Sequence, residues 1–581
     1  MNGLGAKVYV SSNDLQQYNE LTLSRGFQSS IAPELHFGLG KYEKATVKVI
    51  WPNGAISEMK DVLANQNIEI DILTANTSKE VIEAPKMVFE TMALDSMNVD
   101  FKHTENNYND YFFEPLLPHQ TSMLGPGVAV ADVNADGLDD FYIGGALKQS
   151  GALYVQNAEG QFYKTNDDIW EADKDKEDMS ALFFDVDNDG DSDLYVVSGG
   201  NEKSKELSKF QDRLYINDGK GRFSKSEDGL PTITTSGSRI VTGDYDADGD
   251  LDVFVGGRLV PGQYPWPTKS YILQNNHGVF KDVTSQIAKD FDTLGMITDA
   301  CWTDFDGNGT LDLIIVGEWT PILFYSNKNG VFENVTETNG MINTNGWWSS
   351  ITQDDFDNDG DMDYVVGNLG LNYKYKASPE EPFEVHADDF DQNNRKDIVL
   401  SYYNFGKLFP VRGKSCSSQQ IPSLKNKFKD YNSFSVAGLT DVYGKEALNN
   451  AEIHYKAQNF ASSYVENLGN GQFKLTPLPN EAQFSSVNKI ISEDIDKDGY
   501  KDIIIGGNLY ASEIETPRND SGIGLYLKGD GQGHFIPVSS MESNLYINGD
   551  VKDFASITIG NAKSMIVVKN NDYPQFVKVK H

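Results

Sequence analysis

The sequence predicts an all-β fold of repeated four-stranded units, with a smaller β-rich domain in front of them. Three observations carry this. A nine-residue acidic pattern, DVDNDGDSD at Asp185, recurs in seven copies between Asp132 and Asp502. Each copy lies between short apolar, β-branched runs, such as ALFF before it and LYVVSGG after it. Most units then enter a Gly-rich hairpin, as in NDGKGRF from Asn217 or NKNGVF from Asn327, and an amphipathic fourth strand. Four strands in about 55 residues make the blade of a β-propeller, whose radial repetition hides sheet edges.

The acidic pattern has the chemistry of a calcium loop. Calcium takes six to eight oxygen ligands in a flexible shell, and alternate side chains on a tight loop converge on one point. A glycine at the sixth position permits the turn. The EF-hand loop opens alike but needs twelve residues, a closing Glu and flanking helices. Here positions one, three, five and nine offer side chains, and position seven offers its carbonyl. The ions are expected to be structural, about seven in number. Magnesium suits these loops less well, because it prefers rigid octahedral shells that retain water.

The candidate ligands are Asp132, Asn134, Asp136, Leu138 and Asp140 in the first copy, and Asp185, Asp187, Asp189, Asp191 and Asp193 in the second. The third has Asp244, Asp246, Asp248, Asp250 and Asp252, and the fourth Asp304, Asp306, Asn308, Thr310 and Asp312. The fifth has Asp355, Asp357, Asp359, Asp361 and Asp363, and the sixth Asp389, Asp391, Asn393, Arg395 and Asp397. The seventh has Asp494, Asp496, Asp498, Tyr500 and Asp502. The Asp389 copy carries Asn394 in place of the glycine and is expected to be the weakest.

Composition narrows the function. The 581 residues carry a net charge of −37, which excludes nucleic acid as a partner, because phosphates demand a basic face. Unfilled loops would repel themselves, so folding and metal binding are expected to be coupled. Two cysteines, Cys301 and Cys416, exclude a disulfide framework. No apolar run is long enough to span a bilayer, so direct membrane insertion is not expected. The chain opens on strand-like NGLGAKVYV with no export signal, which reads as a truncated start.

In chain order, residues 1–75 alternate in AKVYV, TVKVIW and IEIDI, which read as short strands. NGLGAK from Asn2, HFGLG from His36, WPNG from Trp51 and ANQ from Ala64 resemble the ASPIC/UnbV domain. His36 is expected to be structural. Residues 76–98 read as a linker with a little helix, and the repeats run over 99–581. That region resembles FG-GAP (VCBS-type) repeats of the integrin α-chain kind, and the resemblance implies calcium between the first two strands of a blade. Together the two segments resemble bacterial surface proteins, of Bacteroidota above all, and the cartilage acidic protein family.

First strands are expected near 127, 181, 240, 299, 349, 384, 489 and 552, which favours eight blades over seven. The segment at Phe101 is a candidate fourth strand to close the last one. An insertion at about 405–460 is expected to carry one or two short helices across a propeller face.

Opposite the loops, aromatic and amide residues suit a sugar or peptide. His119, Arg258, Trp266, Trp319, Trp347, Trp348, Asn368 and Asn372 are the candidates for a ligand face. No Ser/His/Asp order, zinc spacing or phosphate loop appears, so no enzyme is expected. The reading is a non-catalytic surface or secreted binding and adhesion protein, extracellular or on the outer membrane, with a glycan or protein ligand. The resemblance implies a lipoprotein accessory to a SusC/SusD-type importer as one version. The alternative is a propeller lyase or hydrolase with a site in the central channel.

Overall fold

Strands carry most of the regular structure of the computed structural model, which describes residues 3–24, 26–76, 87–202 and 206–580. The chain forms two units, Met1–Pro85 and Lys86–His581.

The first unit is one antiparallel sheet in the order Leu15–Glu20, Lys7–Ser12, Lys44–Ile50, Ile56–Leu63. The alternating Ala45, Val47 and Val49 bury one face with Ala6, Val10 and Trp51. Gly3 has φ +69°, and a Cβ there would meet the Trp51 ring at 3.1 Å, which explains the glycine of the NGLGAK motif. The expected strand IEIDI does not form. Asp71 instead caps a 3-10 turn at Ile72–Thr74, accepting from the Leu73 amide. A polar strand, LQQYNE, takes an edge of the sheet. His36 is exposed and lies in no strand.

Among its described residues the second unit contains eight four-stranded antiparallel sheets. Seven repeat one plan. Their first strands are Val128–Ala131, Asp178–Phe184, Ser236–Gly243, Met296–Thr303, Ser350–Asp354, Lys489–Glu493 and Val551–Ile559. Each neighbours the next, and Val551–Ile559 neighbours Val128–Ala131, so the circuit returns to its start. Between sheets the contacts are apolar and heavily aromatic, as where Tyr245 stacks on Trp302 and both tilt against Phe332.

The structure corrects the sequence reading at three places. The strand near 384 does not open a sheet of the circuit. Phe383–Asp388 belongs to a separate sheet, ordered Lys407–Pro410, Asp397–Asn404, Phe383–Asp388, Ile453–Ala457, inserted within the fifth sheet. That fifth sheet pairs Asp363–Gly367 with Ser463–Asn467 across the insertion. The Asp389 loop therefore sits in the inserted sheet, which also carries five short helices between Lys414 and Asn449 where one or two were expected.

Phe89–Met92, placed by sequence in the 76–98 linker, closes the seventh sheet by pairing with Gln575–Val579. Phe101 packs into the core beside that sheet instead of closing it. Linker residues 77–86 lie outside the described residues. Within 87–98 the expected helix is a single turn, Leu94–Met97.

Candidate metal loops and a lined cavity

Each loop joins the first strand of its sheet to the second, except that the Asp389 loop joins the paired Phe383–Asp388 and Asp397–Asn404 of the inserted sheet. All seven share one backbone conformation. Position six is left-handed: Gly137, Gly190, Gly249, Gly309, Gly360 and Gly499 at φ +85° to +98°, and Asn394 at φ +63°. Position four is left-handed too, although sequence reasoning attached no meaning to it. There Ala135, Asn188, Ala247, Gln392 and Lys497 hold φ between +57° and +63°, a conformation that costs a non-glycine residue free energy. Two left-handed residues in three fold the loop back on itself and turn the odd-numbered side chains inward.

The first carboxylate organises this fold. In the Asp132 loop it accepts from the amides of Asp136 at 3.2 Å and Gly137 at 2.8 Å. The Asp244, Asp304, Asp389 and Asp494 loops repeat both bonds. Position two, always apolar or aromatic, points into the core, with Val133, Val186, Tyr245, Phe305, Phe356 and Ile495 buried.

The ninth-position aspartates clasp the loop to the sheet. Asp140 accepts from Val133 N at 3.1 Å and from Gln156 N at 2.7 Å. Asp193, Asp252, Asp312, Asp363 and Asp502 make the same two bonds. Burial pushes Asp140, Asp193, Asp252 and Asp312 up to about 7 and Asp363 to about 6. One amide on each oxygen leaves a second lone pair, which the Tyr464 and Tyr526 hydroxyls take on Oδ2 of Asp363 and Asp502, so Oδ1 of every clasping carboxylate retains donor capacity towards a cation.

The donor set fits a hard cation. Asp185, Asp187, Asp246, Asp355 and Asp391 each hold a buried carboxylate oxygen with no hydrogen-bond partner. Buried polar atoms without partners are costly, and several converging on one loop repel one another. Asp191 and Asp361, at position seven, hold such an oxygen as well, so their side chains are candidates besides the carbonyls assigned from sequence. Asp185, Asp187 and Asp193 place oxygens within 4.8 Å of one another, as do trios from the Asp244, Asp304 and Asp355 loops.

The sequence reading missed the side-chain partners that the third strand brings to three of the loops, those at Asp244, Asp304 and Asp494. Its last residues face the loop's third position. Gln274 Nε2 donates to Asp246 at 2.7 Å and Ser326 Oγ to Asp306 at 2.9 Å. Lys528 pairs with both Asp496 and Asp498 of the last loop, the latter at 2.9 Å. The next residue is often Asn, and it ties one sheet to the one before. Asn217, Asn275 and Asn327 donate to the position-two carbonyls of Val133, Val186 and Tyr245 at 2.7, 2.8 and 2.8 Å. The hairpin strings NDG, NNH and NKN carried this signal as a repeated asparagine.

A family described as ASPIC and UnbV matches residues 1–77, and one described as FG-GAP-like repeat matches residues 132–196, 185–255 and 304–366. The chain opens with an ASPIC and UnbV domain and continues in FG-GAP-like repeats. No curated protein matches it. The crystal structure of the V. cholerae biofilm matrix protein Bap1 is similar at TM-score 0.33 and 11% identity, over 85% of this chain and 91% of that one. Sqt1 of Chaetomium thermophilum, bound to the N-terminus of ribosomal protein L10, is similar at TM-score 0.34 and 12% identity, over 80% and 98%. A third similar structure is BBS1N in complex with ARL6DN, at TM-score 0.38 and 10% identity, over 81% and 96%. Likenesses this weak carry no weight below.

At the opposite end of the FG-GAP repeats, most residues expected to form an aromatic ligand face are core. Trp319 is 3% exposed, Trp347 6% and Trp348 1%. Trp319 Nε1 donates to Tyr264 Oη at 2.7 Å and stacks on Phe383 of the inserted sheet, and Trp348 Nε1 donates to the Thr344 carbonyl at 3.0 Å. The inserted sheet covers this cluster, which is why rings that read as a face are buried. Asn368 is fully buried and bonds to the Trp347 amide at 3.2 Å. Trp266 is half-buried under Lys396, and Asn372 alone of the eight is exposed.

His119, Arg258, Trp347 and Trp348 do come together, lining a cavity of about 170 Å³ with Arg239, Asp299, Glu318, Lys489, Lys552 and Asp553. Arg239 bridges Asp299 and Asp553, and Lys489 also reaches Asp553, at 3.0 to 3.2 Å. Glu318 receives Arg258, His119 and Tyr264. Burial would raise its pKa, but the contacts with His119 and Arg258 and the Tyr264 hydroxyl outweigh that and hold it at about 2. Each carboxylate of this cavity is paired with a cation of its lining, while Lys552 pairs with Asp550 at 3.1 Å.

Proposed function

We propose that the seven-sheet circuit is a seven-bladed β-propeller stabilised by calcium, in a non-catalytic binding or adhesion protein that works outside the cell. One observation carries the reading: seven loops share one conformation, and four of them, those at Asp185, Asp244, Asp355 and Asp389, keep buried carboxylate oxygens without a hydrogen-bond partner. Calcium supplies the positive charge that those oxygens lack. The positions that hold it are the first, third and fifth side chains, the seventh carbonyl and the free lone pairs of the ninth carboxylate. With their self-repulsion removed, the loops fix the first and second strands of each blade, and the third-strand asparagines pass that rigidity to the next blade.

FG-GAP-like repeats favour an extracellular setting. Among the described residues no helix is long and apolar enough to cross a membrane. The paired carboxylates of the cavity favour binding over catalysis, since Asp299, Glu318 and Asp553 are each held by a cationic side chain. With the tryptophans buried, the partner surface shifts to exposed apolar residues on connections opposite the metal loops. Phe112 is 77% exposed and Ile514 99%. A glycan or a protein, an outer-membrane importer component included, docks there.

The test presents polysaccharides and candidate surface proteins to the calcium-loaded chain and measures both retention and product release. Retention that disappears with a chelator, or with Phe112→Asp and Ile514→Asp, is the expected result. Release of shortened or unsaturated sugars would instead establish a lyase or hydrolase in the channel.

A further inference from the structure

The inserted sheet holds a second type of candidate metal centre, unrelated in chemistry to the acidic loops. Residues directly opposite one another on antiparallel strands share a face. Register sets His386 against His454 on the neighbouring edge strand, and Glu384, two residues before His386, against Lys456. On the other side Glu384 lies against Ser401. One face of three strands therefore presents two imidazoles, a carboxylate, an ammonium and a hydroxyl.

Their contacts are close and incomplete. One donor atom from each of Glu384, His386 and His454 falls within 4.8 Å of the others. His454 Nε2 lies 2.9 Å from Glu384 Oε2, and the two imidazole rings stack at 3.9 Å between centroids. His386 is 5% exposed and its Nδ1 has no hydrogen-bond partner; Ser401 Oγ, fully buried on the same face, has none either. A buried polar atom without a partner costs free energy, and two on one face mark a place where something else belongs.

We propose that Glu384, His386 and His454 bind a divalent transition metal of the zinc type, with a water completing the shell. Two imidazoles and a carboxylate form a borderline-soft donor set, which suits zinc and its neighbours and not calcium. Tetrahedral zinc ligands stand about 3.3 Å apart, given bonds of about 2.0–2.1 Å, so small rotations about the side-chain torsions bring the three donors into the shell. Lys456 Nζ, 3.5 Å from Glu384 Oε1, competes with the ion for that carboxylate.

The site ties the edge strand Ile453–Ala457 to the centre of the inserted sheet, beside the helices whose Leu439 and Leu448 pack on Val399 of the same face. The ion's place is therefore that of a clamp on the insertion.

The test titrates zinc into the full, tag-free chain held in excess calcium, with cobalt as a spectroscopic substitute. One equivalent is expected to bind, with the visible bands of tetrahedral cobalt. His454→Ala, at a partly exposed edge position that leaves the core intact, is expected to weaken binding at least about tenfold, the lower end of what even an outer-shell change costs. Lys456→Met is expected to tighten it. Zinc should raise the melting temperature of the parent chain and not that of His454→Ala. Failure of the parent chain to bind one equivalent, or binding by His454→Ala equal to the parent's, overturns the site.

Discussion

The loops beginning at Asp355 and Asp494 carry aspartate at positions one, three, five and nine, and they fold alike, yet their surroundings differ in sign. Beside Asp357 the third strand carries Glu466 next to its last residue, one more carboxylate, itself partnered by Lys474 at 2.7 Å. In the Asp494 loop the matching residue is Lys528, whose ammonium already sits between Asp496 and Asp498. Asp355 and Asp361 keep buried oxygens without partners, while among the described residues the Asp494 loop has none. The nine-residue motif supplies the donors, but one residue on a strand distant in sequence sets the charge they have left to offer a cation. In the Asp494 loop a tethered ammonium supplies part of the positive charge proposed to come from an ion.

This difference can be attacked from both sides. The largest effect is expected from Asp363→Ala, which strips acceptors from the amides of Phe356 and Asn467 and from the Tyr464 hydroxyl. It should cost about 4–5 kcal/mol or more of unfolding free energy in chelator, and more again in calcium, since three bonds to a charged group are lost at about 1.5–3 kcal/mol each. Asp357→Ala should behave oppositely: costly in calcium, neutral or slightly stabilising in chelator, because it removes like-charge repulsion. Denaturant titrations of both variants in both buffers check the pair.

A swap of the neighbouring charges comes next. Lys528→Met should raise calcium affinity at the Asp494 loop about tenfold, about 1.4 kcal/mol, and Glu466→Lys should weaken the Asp355 loop by a similar factor. Calorimetric calcium titration reads both, and equal affinities in parent and variants would erase the distinction between the loops. The smallest effect belongs to the asparagine ties. Asn327→Ala leaves the carbonyls of Tyr245 and Leu311 without their donor and should cost about 1–3 kcal/mol in either buffer.

How far the sequence could be read follows from where each signal lies. The loops were legible because all their donors fall within nine residues, and the alternation around them fixed the strands. The inserted sheet was not, because its Asp389 loop looks like the rest. Nothing local says that Asp363–Gly367 waits for Ser463–Asn467 to pair. The edge strand Phe89–Met92 was lost for the same reason, its partner lying at the other end of the chain. Trp319 and Trp347 read as a face because hydrophobic pattern does not reveal what covers a ring; here the cover is Phe383 and Phe460, brought by the insertion. Lys528, at a strand end, looked like ordinary solvent-facing charge.

The central claim, that calcium in these loops holds the propeller together, is tested most directly by calorimetric unfolding of the whole chain in calcium and in chelator. The account predicts a large rise in melting temperature with calcium, growing with its concentration as binding to the folded state alone requires, and reached through several equivalents of bound ion. An unchanged melting temperature would contradict it, for the carboxylates would then be compensated without a metal.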